Sequence, residues 1–377
     1  MAKREVYKMI DLFAGCGGLS LGLEQSGFTP WFVNEIVEQF VNTYKYNHTL
    51  SDEHYYIGDI AKLNDDIDKY KKLFNGITLV CGGPPCQGFS MANRQRLIDD
   101  PRNSLYKQYL IFLNHVRPTF FIMENVKGMM NKFDEIIQNF NDYLGEEYQF
   151  DYSILKAQDY GVPQNRERFI MIGNRIGIPP KKIFVEIEKS KRQSFVLRDA
   201  LIGLPHLEPR KQKGAKDIEN DESGYTERDF EYIKNGFYNF INDGREIHKL
   251  YNHKNRYNNP RDLEIYRRLP QGANSLHESI ADIMPYKRRN DIFKDKYYKL
   301  DENQICKTIT SHMKFDCNMY IHPWEARGLS PREAARIQTF PDDYYFTGAQ
   351  NMWYAQIGNA VPVKLAKAIG DGIMKFL

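Results

Sequence analysis

Cys86 stands in the stretch GGPPCQGFS, residues 82–90, behind two prolines and among glycines and a serine. A free thiol has a pKa of about 8.5, so only a few per cent is thiolate at neutral pH; a nearby Arg or Lys that lowered it to about 7 would raise the reactive fraction roughly tenfold. Pro84 and Pro85 fix φ ahead of the sulfur, while Gly82, Gly83 and Gly88 permit an unusual backbone and a moving loop. Cys81, inside the apolar run ITLVC, reads instead as inert core. Two further groups could join Cys86. The run ending in MENV carries Glu124 and Asn125 out of an apolar strand, where a carboxylate is costly unless it is held in a structural salt bridge or put to use. In QNRERFIMIG, Arg166 and Arg168 alternate along a strand, so both project from one face and offer forked donors to a base carbonyl, a carboxylate or a phosphate.

A second chemistry-bearing stretch is DLFAGCGGLSLG, Asp11 to Gly22, which reads as a strand entering a glycine turn and then a helix. Glycines let a bound molecule approach the backbone, although a plain tight connection would use them too. A dinucleotide fingerprint needs a third glycine where Ser20 stands, and no lysine follows as in a phosphate loop. Glu35 ends the next strand about twenty residues beyond Gly15, where an acid takes ribose hydroxyls in open α/β sheets. Asp59, in GDI, could accept from an adenine amino group. Ribose and adenine without a pyrophosphate point to S-adenosylmethionine.

One reaction would employ all of these parts. If Cys86 adds to C6 of cytosine while Glu124 shares a proton with ring N3, the otherwise inert C5 becomes enamine-like and can take a methyl from a sulfonium. Arg168 would hold the O2 edge and aid the addition electrostatically.

These residues need a scaffold, and the first 175 residues supply its pattern. VYKMIDLFAG, WFVNE, YYIGDI, ITLVCGG, TFFIMENV, DYSILKA and RFIMIGN read as strands, separated by amphipathic segments at 37–48, 104–116 and 134–145. The alternation predicts an α/β fold with a mostly parallel, doubly wound sheet whose ligands sit beyond the carboxyl ends of its strands. Past Ile178 the pattern breaks; Pro179-Pro180 and the polar stretch 209–223 read as linker and loop, and 225–323 is rich in Tyr, Asn, Arg and Lys without a clean period. Ser330-Pro331-Arg332-Glu333 is a capping box opening a helix, and a last helix is expected over about 362–376.

The whole chain limits the alternatives. Its 377 residues and 42% hydrophobic content are enough for a large domain and a smaller one. No run approaches the roughly 18 apolar residues of a membrane span, and the start lacks a secretory pattern, so a soluble, intracellular protein is expected. Five cysteines without dense spacing argue against a disulfide scaffold, and the gaps among Cys306, His312, Cys317 and His322 match no compact zinc motif, so no metal is expected. A net charge of +3 is mild, but basic clusters recur beyond residue 180, at 181–182, 191–192, 210–213, 267–268 and 287–289, each also readable as ordinary solvated surface.

Taken in order, DLFAGCGG, Asn34-Glu35, GDI, GGPPCQGFS, ENV, QNRER, RGLSPREAARIQTFP at 327–341 and QIGNAVP at 356–362 resemble the C5-cytosine DNA methyltransferase family, over about Ile10 to Gly173 and from Arg327 to the C-terminus. The resemblance implies the class I S-adenosylmethionine-dependent methyltransferase fold with a second, smaller DNA-recognition domain, divided as 1–180, 181–345 and a C-terminal segment 346–377 returning to the large domain. It implies Cys86 as nucleophile, Glu124 as the N3 partner, and Asn125, Arg166 and Arg168 as further active-site residues. Phe13, Gly15, Gly17, Glu35, Ile36, Asp59, Ile60, Pro85, Leu105, Asn359 and Val361 fall where the family contacts S-adenosylmethionine. Residues 87–104 match its mobile catalytic loop, placing Gln87 and Ser90 against DNA, and Thr308 in CKTIT falls where a threonine orients the flipped base or its backbone.

Between the two matched stretches the resemblance gives no instruction, because that region differs among members. Arg256, Arg261, Arg267, Arg268, Arg288 and Arg289 are expected there as a group against duplex DNA, some on phosphates and some on base edges. A tRNA cytosine methyltransferase of the same mechanism, and a catalytically silent DNA-binding protein, are the alternatives; the long separate recognition region, with Gly88 and Ser90 after the nucleophile, favours DNA over tRNA, and the intact Cys86, Glu124 and Arg168 favour an enzyme. The expected partners are duplex DNA and a cognate restriction endonuclease, with the chain itself a monomer.

Overall fold

The computed structural model describes residues 5–85, 105–210, 212–214, 218–285 and 294–377. The chain divides into two compact units, one comprising Met1–Gly161, Arg166–Gln193 and Val361–Leu377, the other Val162–Asn165 and Ser194–Ala360.

The first unit is built on one sheet. Strands β1 (Tyr7–Leu12), β2 (Phe28–Glu35), β3 (Tyr55–Ile57), β4 (Leu79–Gly82), β5 (Phe120–Val126), β6 (Gln149–Lys156) and β8 (Glu167–Asn174) lie in the order β3-β2-β1-β4-β5-β8-β6. All pairings are parallel except those of β8, which runs antiparallel to both β5 and β6. The seven strands expected from the apolar runs are all present. Central strands read as near-continuous apolar sequence because helices cover both faces. One face carries α3 (Ile60–Asp65), α4 (Leu105–Val116) and α5 (Phe133–Leu144), packed on Ile10, Leu12, Val80, Phe121, Met123 and Phe169. In α5 the buried residues Ile136, Phe140 and Leu144 recur every fourth position, which is one helix face. On the other side of the sheet α1 (Gly18–Ser26) packs against α12 (Val363–Met374), and α12 against α6 (Pro180–Glu188). The last helix therefore belongs to the first unit, and α2 (Glu38–Asn47) follows the end of β2.

The second unit has little sheet. It holds an antiparallel pair, β9 (Gly224–Asp229) with β10 (Lys249–Lys254), and a two-residue parallel pair, β7 (Gln164–Asn165) with β11 (Cys306–Lys307). Its helices are α7 (Leu197–Leu201), α8 (Gly236–Asn242), α9 (Pro260–Arg268), α10 (Pro331–Ile337) and α11 (Gln350–Asn359). The expected capping box forms: Ser330 Oγ accepts from the Glu333 amide at 3.2 Å, and the Ser330 amide donates to the Glu333 carboxylate at 2.7 Å. Its interior is strongly charged, with Arg327, Arg332, Glu333, Arg336 and Asp342 all buried. Among the described residues no helix is long and apolar enough to cross a membrane.

Candidate active site

At the carboxyl end of β1 the chain turns through three residues of positive φ, Phe13 at 57°, Gly15 at 56° and Gly17 at 90°. The turn is fastened to the neighbouring strand by the Ala14 amide, which donates to the Asn34 carbonyl at 3.1 Å. Glu35 closes β2 beside it. One carboxylate oxygen accepts from the Gly15 amide at 2.9 Å and the other from the Ile36 and Val37 amides, also at 2.9 Å. Burial raises the Glu35 pKa, and these three amide bonds pull against that rise. A carboxylate has about four acceptor positions, so three fixed amides orient the group and leave room for a ligand hydroxyl. Ile36, next along the chain, is 65% exposed, an apolar surface beside an oriented acid.

The other residues expected at the cofactor take different positions. Asp59 caps α3, accepting from the Ala61 amide at 2.9 Å, and its backbone position is exposed. Ile60 is buried in the core, against which Phe13 and Leu105 also pack. Pro85 is exposed at the end of the β4 turn and Val361 is buried in the first unit, whereas Asn359 is exposed at the end of α11 in the second. Beneath the glycine turn lies a hydrogen-bonded chain with no signature in the sequence. Ser20 Oγ donates to Asp11 at 2.6 Å and in turn accepts from the Tyr44 hydroxyl at 2.8 Å. Burial pushes the Asp11 carboxyl up to about 7.

The reactive end is organised by β4 and β5. Glu124 leaves β5 at its carboxyl end, and its Oε1 lies 2.7 Å from Nε of Arg168 on β8. The paired side chains are 13% and 12% exposed respectively, so the ion pair is sheltered yet reachable. Arg168 also donates through Nη1 to the Glu167 carbonyl at 2.8 Å, and burial lowers its pKa while the Glu124 charge opposes that shift. Gly83 makes room for this carboxylate, because a Cβ there would lie 2.8 Å from Glu124 Oε2. Asn125 ties the two strand ends together. Its Nδ2 donates to the Pro84 carbonyl at 2.9 Å, and its Oδ1 accepts from the Val126 amide at 2.9 Å. Arg166 is only 2% exposed, and its carbonyl accepts from the Ala157 amide at 2.8 Å. Lys127 and Glu167, which the sequence did not single out, pair at 2.8 Å beside this site. Cys86, Gln87, Ser90 and the rest of 86–104 lie outside the described residues, as do Arg288 and Arg289. Cys81, by contrast, is fully buried, and its thiol pKa is raised by burial.

In the second unit, Thr308 Oγ1 donates to the Asn165 carbonyl, so the loop after β11 is fixed to the residue preceding Arg166 in the chain. Gln164, another residue without a sequence signal, accepts from the Ile309 amide at 2.8 Å and donates to Gln338 at 2.9 Å. Arg256 donates to the carbonyls of Met313 at 2.7 Å and Lys314 at 3.2 Å, and it lies over the Tyr354 ring; its guanidinium is thus engaged in holding the fold. Arg268 pairs with Glu264 and Asp282 at the end of α9, while Arg267 is the freer of the two, 3.6 Å from Glu264.

A carboxylate paired with a guanidinium at the strand ends, with an acid-lined glycine turn two strands away, is suited to gripping a polar ring edge next to a ribose-bearing cofactor. The model of the C-5 cytosine-specific DNA methylase family matches residues 7–375. The chain belongs to this family. It is similar to the type II methyltransferase M1.HphI of Haemophilus parahaemolyticus, 31% identical over all of this chain and 90% of that protein. With the type II methyltransferase M.DdeI of Desulfomicrobium norvegicum the identity is 31% over 97% of this chain and 88% of the relative. Among solved structures, one described as a DNA modification methyltransferase encoded within an E. coli prophage superposes with a TM-score of 0.75 at 28% identity, over 98% of this chain and 99% of that one. This DNA cytosine methylase thus has the expected methyltransferase sheet and carries Glu124, Asn125 and Arg168 at the ends of its strands.

Proposed function

We propose that the enzyme methylates C5 of a cytosine turned out of duplex DNA within a fixed recognition sequence, through a transient bond between Cys86 and C6 of the ring. The observation that supports this most directly is the Glu124–Arg168 pair, 2.7 Å apart, with Asn125 bonded to the Pro84 carbonyl two residues before Cys86. Attack of the thiolate on C6 forms an S–C bond and displaces the ring π pair toward N3 and C5. A proton taken up from solvent and shared between the Glu124 carboxylate and N3 leaves C5 as the nucleophilic end of an enamine, and Arg168 holds O2. C5 then gains a methyl cation equivalent. Loss of the C5 proton to a base returns its electron pair to the ring, expels the thiolate and lets N3 return its proton. The net change is one methyl gained and one proton lost.

S-adenosylmethionine, bound, supplies that methyl as an electrophilic carbon on a sulfonium. The residues present fit it: Glu35 offers an oriented acceptor for ribose hydroxyls, and Phe13 and Ile36 offer apolar surface. Gly15, Gly17, Asp59, Ile60, Pro85, Leu105, Asn359 and Val361 are attributed to the same cofactor by the family motifs. Turning the base out costs a few kcal/mol, recovered in pocket contacts. On the DNA, Gln87, Ser90, Thr308, Arg267, Arg288 and Arg289 are the assigned contacts, with Arg256 and Arg268 supporting the second unit. The relatives' designation as type II methyltransferases favours a restriction-modification role beside an endonuclease of the same specificity.

The test is transfer of a labelled methyl from S-adenosylmethionine to unmethylated duplex DNA, followed by bisulfite mapping. The expected result is 5-methylcytosine in one sequence context. Label on tRNA and none on DNA would overturn the proposal.

A further inference from the structure

The turn Ser311–Lys314, in the second unit, is held firmly from below. Met313 and Cys317 are fully buried, Arg256 donates to the Met313 and Lys314 carbonyls, and the Thr310 hydroxyl lies 3.1 Å from that of Tyr320. The α11 backbone presses on it so closely that a Cβ at Gly358 would stand 2.2 Å from the Ser311 amide nitrogen. From this clamped turn Phe315 projects 66% exposed. Lys314 Nζ lies 4.8 Å from the Phe315 ring centroid and the His312 ring 5.5 Å from it. Asp316 is 3.8 Å from His312, whereas no carboxylate pairs with Lys314 among the described residues.

We infer that Phe315 is the side chain with which the second unit stacks on a base of the bound DNA, with Lys314 meeting a neighbouring phosphate. The inference rests on the proposed DNA substrate. A phenyl ring on a slack loop would fold back onto apolar surface; here the Arg256 bonds to two turn carbonyls, the buried Met313 and Cys317 and the close α11 backbone hold the turn, so the ring stays outward and forgoes that burial until a flat apolar partner arrives. A base provides such a face whatever its identity, and aromatic side chains are used in this way both against unstacked bases and as wedges between base steps. The unpaired ammonium beside the ring selects a polyanion over an apolar protein surface. A ring placed in this way would support the extruded state or fill the step left behind it.

The test uses the full-length enzyme and a duplex carrying its mapped site, with 2-aminopurine beside the target cytosine. F315A should weaken binding about tenfold and lower the fluorescence change in proportion, with S-adenosylmethionine affinity and melting temperature unchanged. F315W should restore binding to within about twofold, and F315L should not, since it keeps bulk but loses the ring face. K314A should reduce the slope of log affinity against log salt by about one. Wild-type affinity in both F315A and K314A would overturn the inference while leaving methyl transfer by the native enzyme intact, and would assign the ring to a protein partner. F315L binding as tightly as wild type would refute stacking. Failure of the native enzyme to methylate any duplex would overturn the substrate reading and this inference together.

Discussion

In the first unit Glu35, Glu124 and Arg168 stand at the ends of strands, beside an interior that is mostly apolar apart from groups such as Asp11 and Arg166. In the second, ion pairs are buried beside the apolar clusters. Arg327 binds Glu333 at 2.7 and 2.8 Å, Arg336 binds Asp342 at 2.7 and 2.9 Å, and Arg332 donates to the carbonyls of Tyr251, Pro341 and Tyr344. The Glu333 pKa falls strongly beside the Arg327 guanidinium, so the pair stays charged. A sheet with covered faces satisfies its own backbone and can expose chemistry at its rim. A unit whose described residues hold two short strand pairs must satisfy loop carbonyls by other means, and buried arginines with forked donors do so. Such networks add little net stability over an apolar core, but losing one partner is costly. The first unit should therefore fail locally and chemically when mutated, the second cooperatively and structurally.

The largest contrast is expected from Glu124→Gln. Single-turnover methyl transfer should fall by about 10² to 10⁴-fold, with S-adenosylmethionine affinity within about twofold of wild type; unchanged turnover would remove Glu124 from the chemistry. Arg327→Met strands the Glu333 charge in the second unit and should cost about 3–5 kcal/mol in urea unfolding, while cofactor binding survives in whatever remains folded. A loss below 1 kcal/mol would erase the distinction between the units. Glu35→Ala should weaken S-adenosylmethionine binding by about 10 to 100-fold, as expected for a charged hydrogen-bond acceptor, and leave DNA affinity unchanged in a titration; equal losses in both would place Glu35 in the scaffold instead.

The smallest effect is one of pH, and its sign differs between the units. Asp11, raised to about 7 by burial, favours the fold fully below about pH 4 and loses that contribution as pH rises through 7. His253 and His322, lowered by burial to about 4 and about 3, favour it above about pH 6.5 and lose that contribution as pH falls. Their surroundings agree: His322 Nδ1 accepts from the Trp324 and Glu325 amides at 3.2 Å, which requires an unprotonated nitrogen. Hydrogen exchange should show the second unit opening first in acid. Asp11→Asn should remove roughly 1 kcal/mol of the decline in stability between pH 6 and 8.5. An unaltered alkaline limb would mean that Asp11 is ionised throughout.

The same contrast decides what could be read in the sequence. The sheet was legible because runs such as FFIM at 120–123 are buried on both faces, and the Ser330 cap because its two partners lie three residues apart. The strand-end residues Glu35, Glu124 and Arg168 were legible through their ordered motifs, since one spacing serves one geometry. The chain Asp11–Ser20–Tyr44 was hidden, because its members stand 9 and 24 residues apart and each alone is unremarkable in type. Arg256 was expected on DNA because a basic residue in a basic region has no feature that separates a phosphate contact from a clamp on loop carbonyls; its partners Met313 and Lys314 lie 57 and 58 residues away. Buried arginines have no periodicity, so the second unit read as irregular.

The proposed reaction depends most on a reversible bond between the Cys86 sulfur and a cytosine ring. A duplex carrying 5-fluorocytosine at the mapped target has no C5 proton to lose after methylation, so the native enzyme with S-adenosylmethionine should remain joined to it as a complex that survives denaturing electrophoresis, and Cys86→Ala should form none. A denaturation-resistant complex with Cys86→Ala, or methyl transfer by that variant at the native rate, would contradict it.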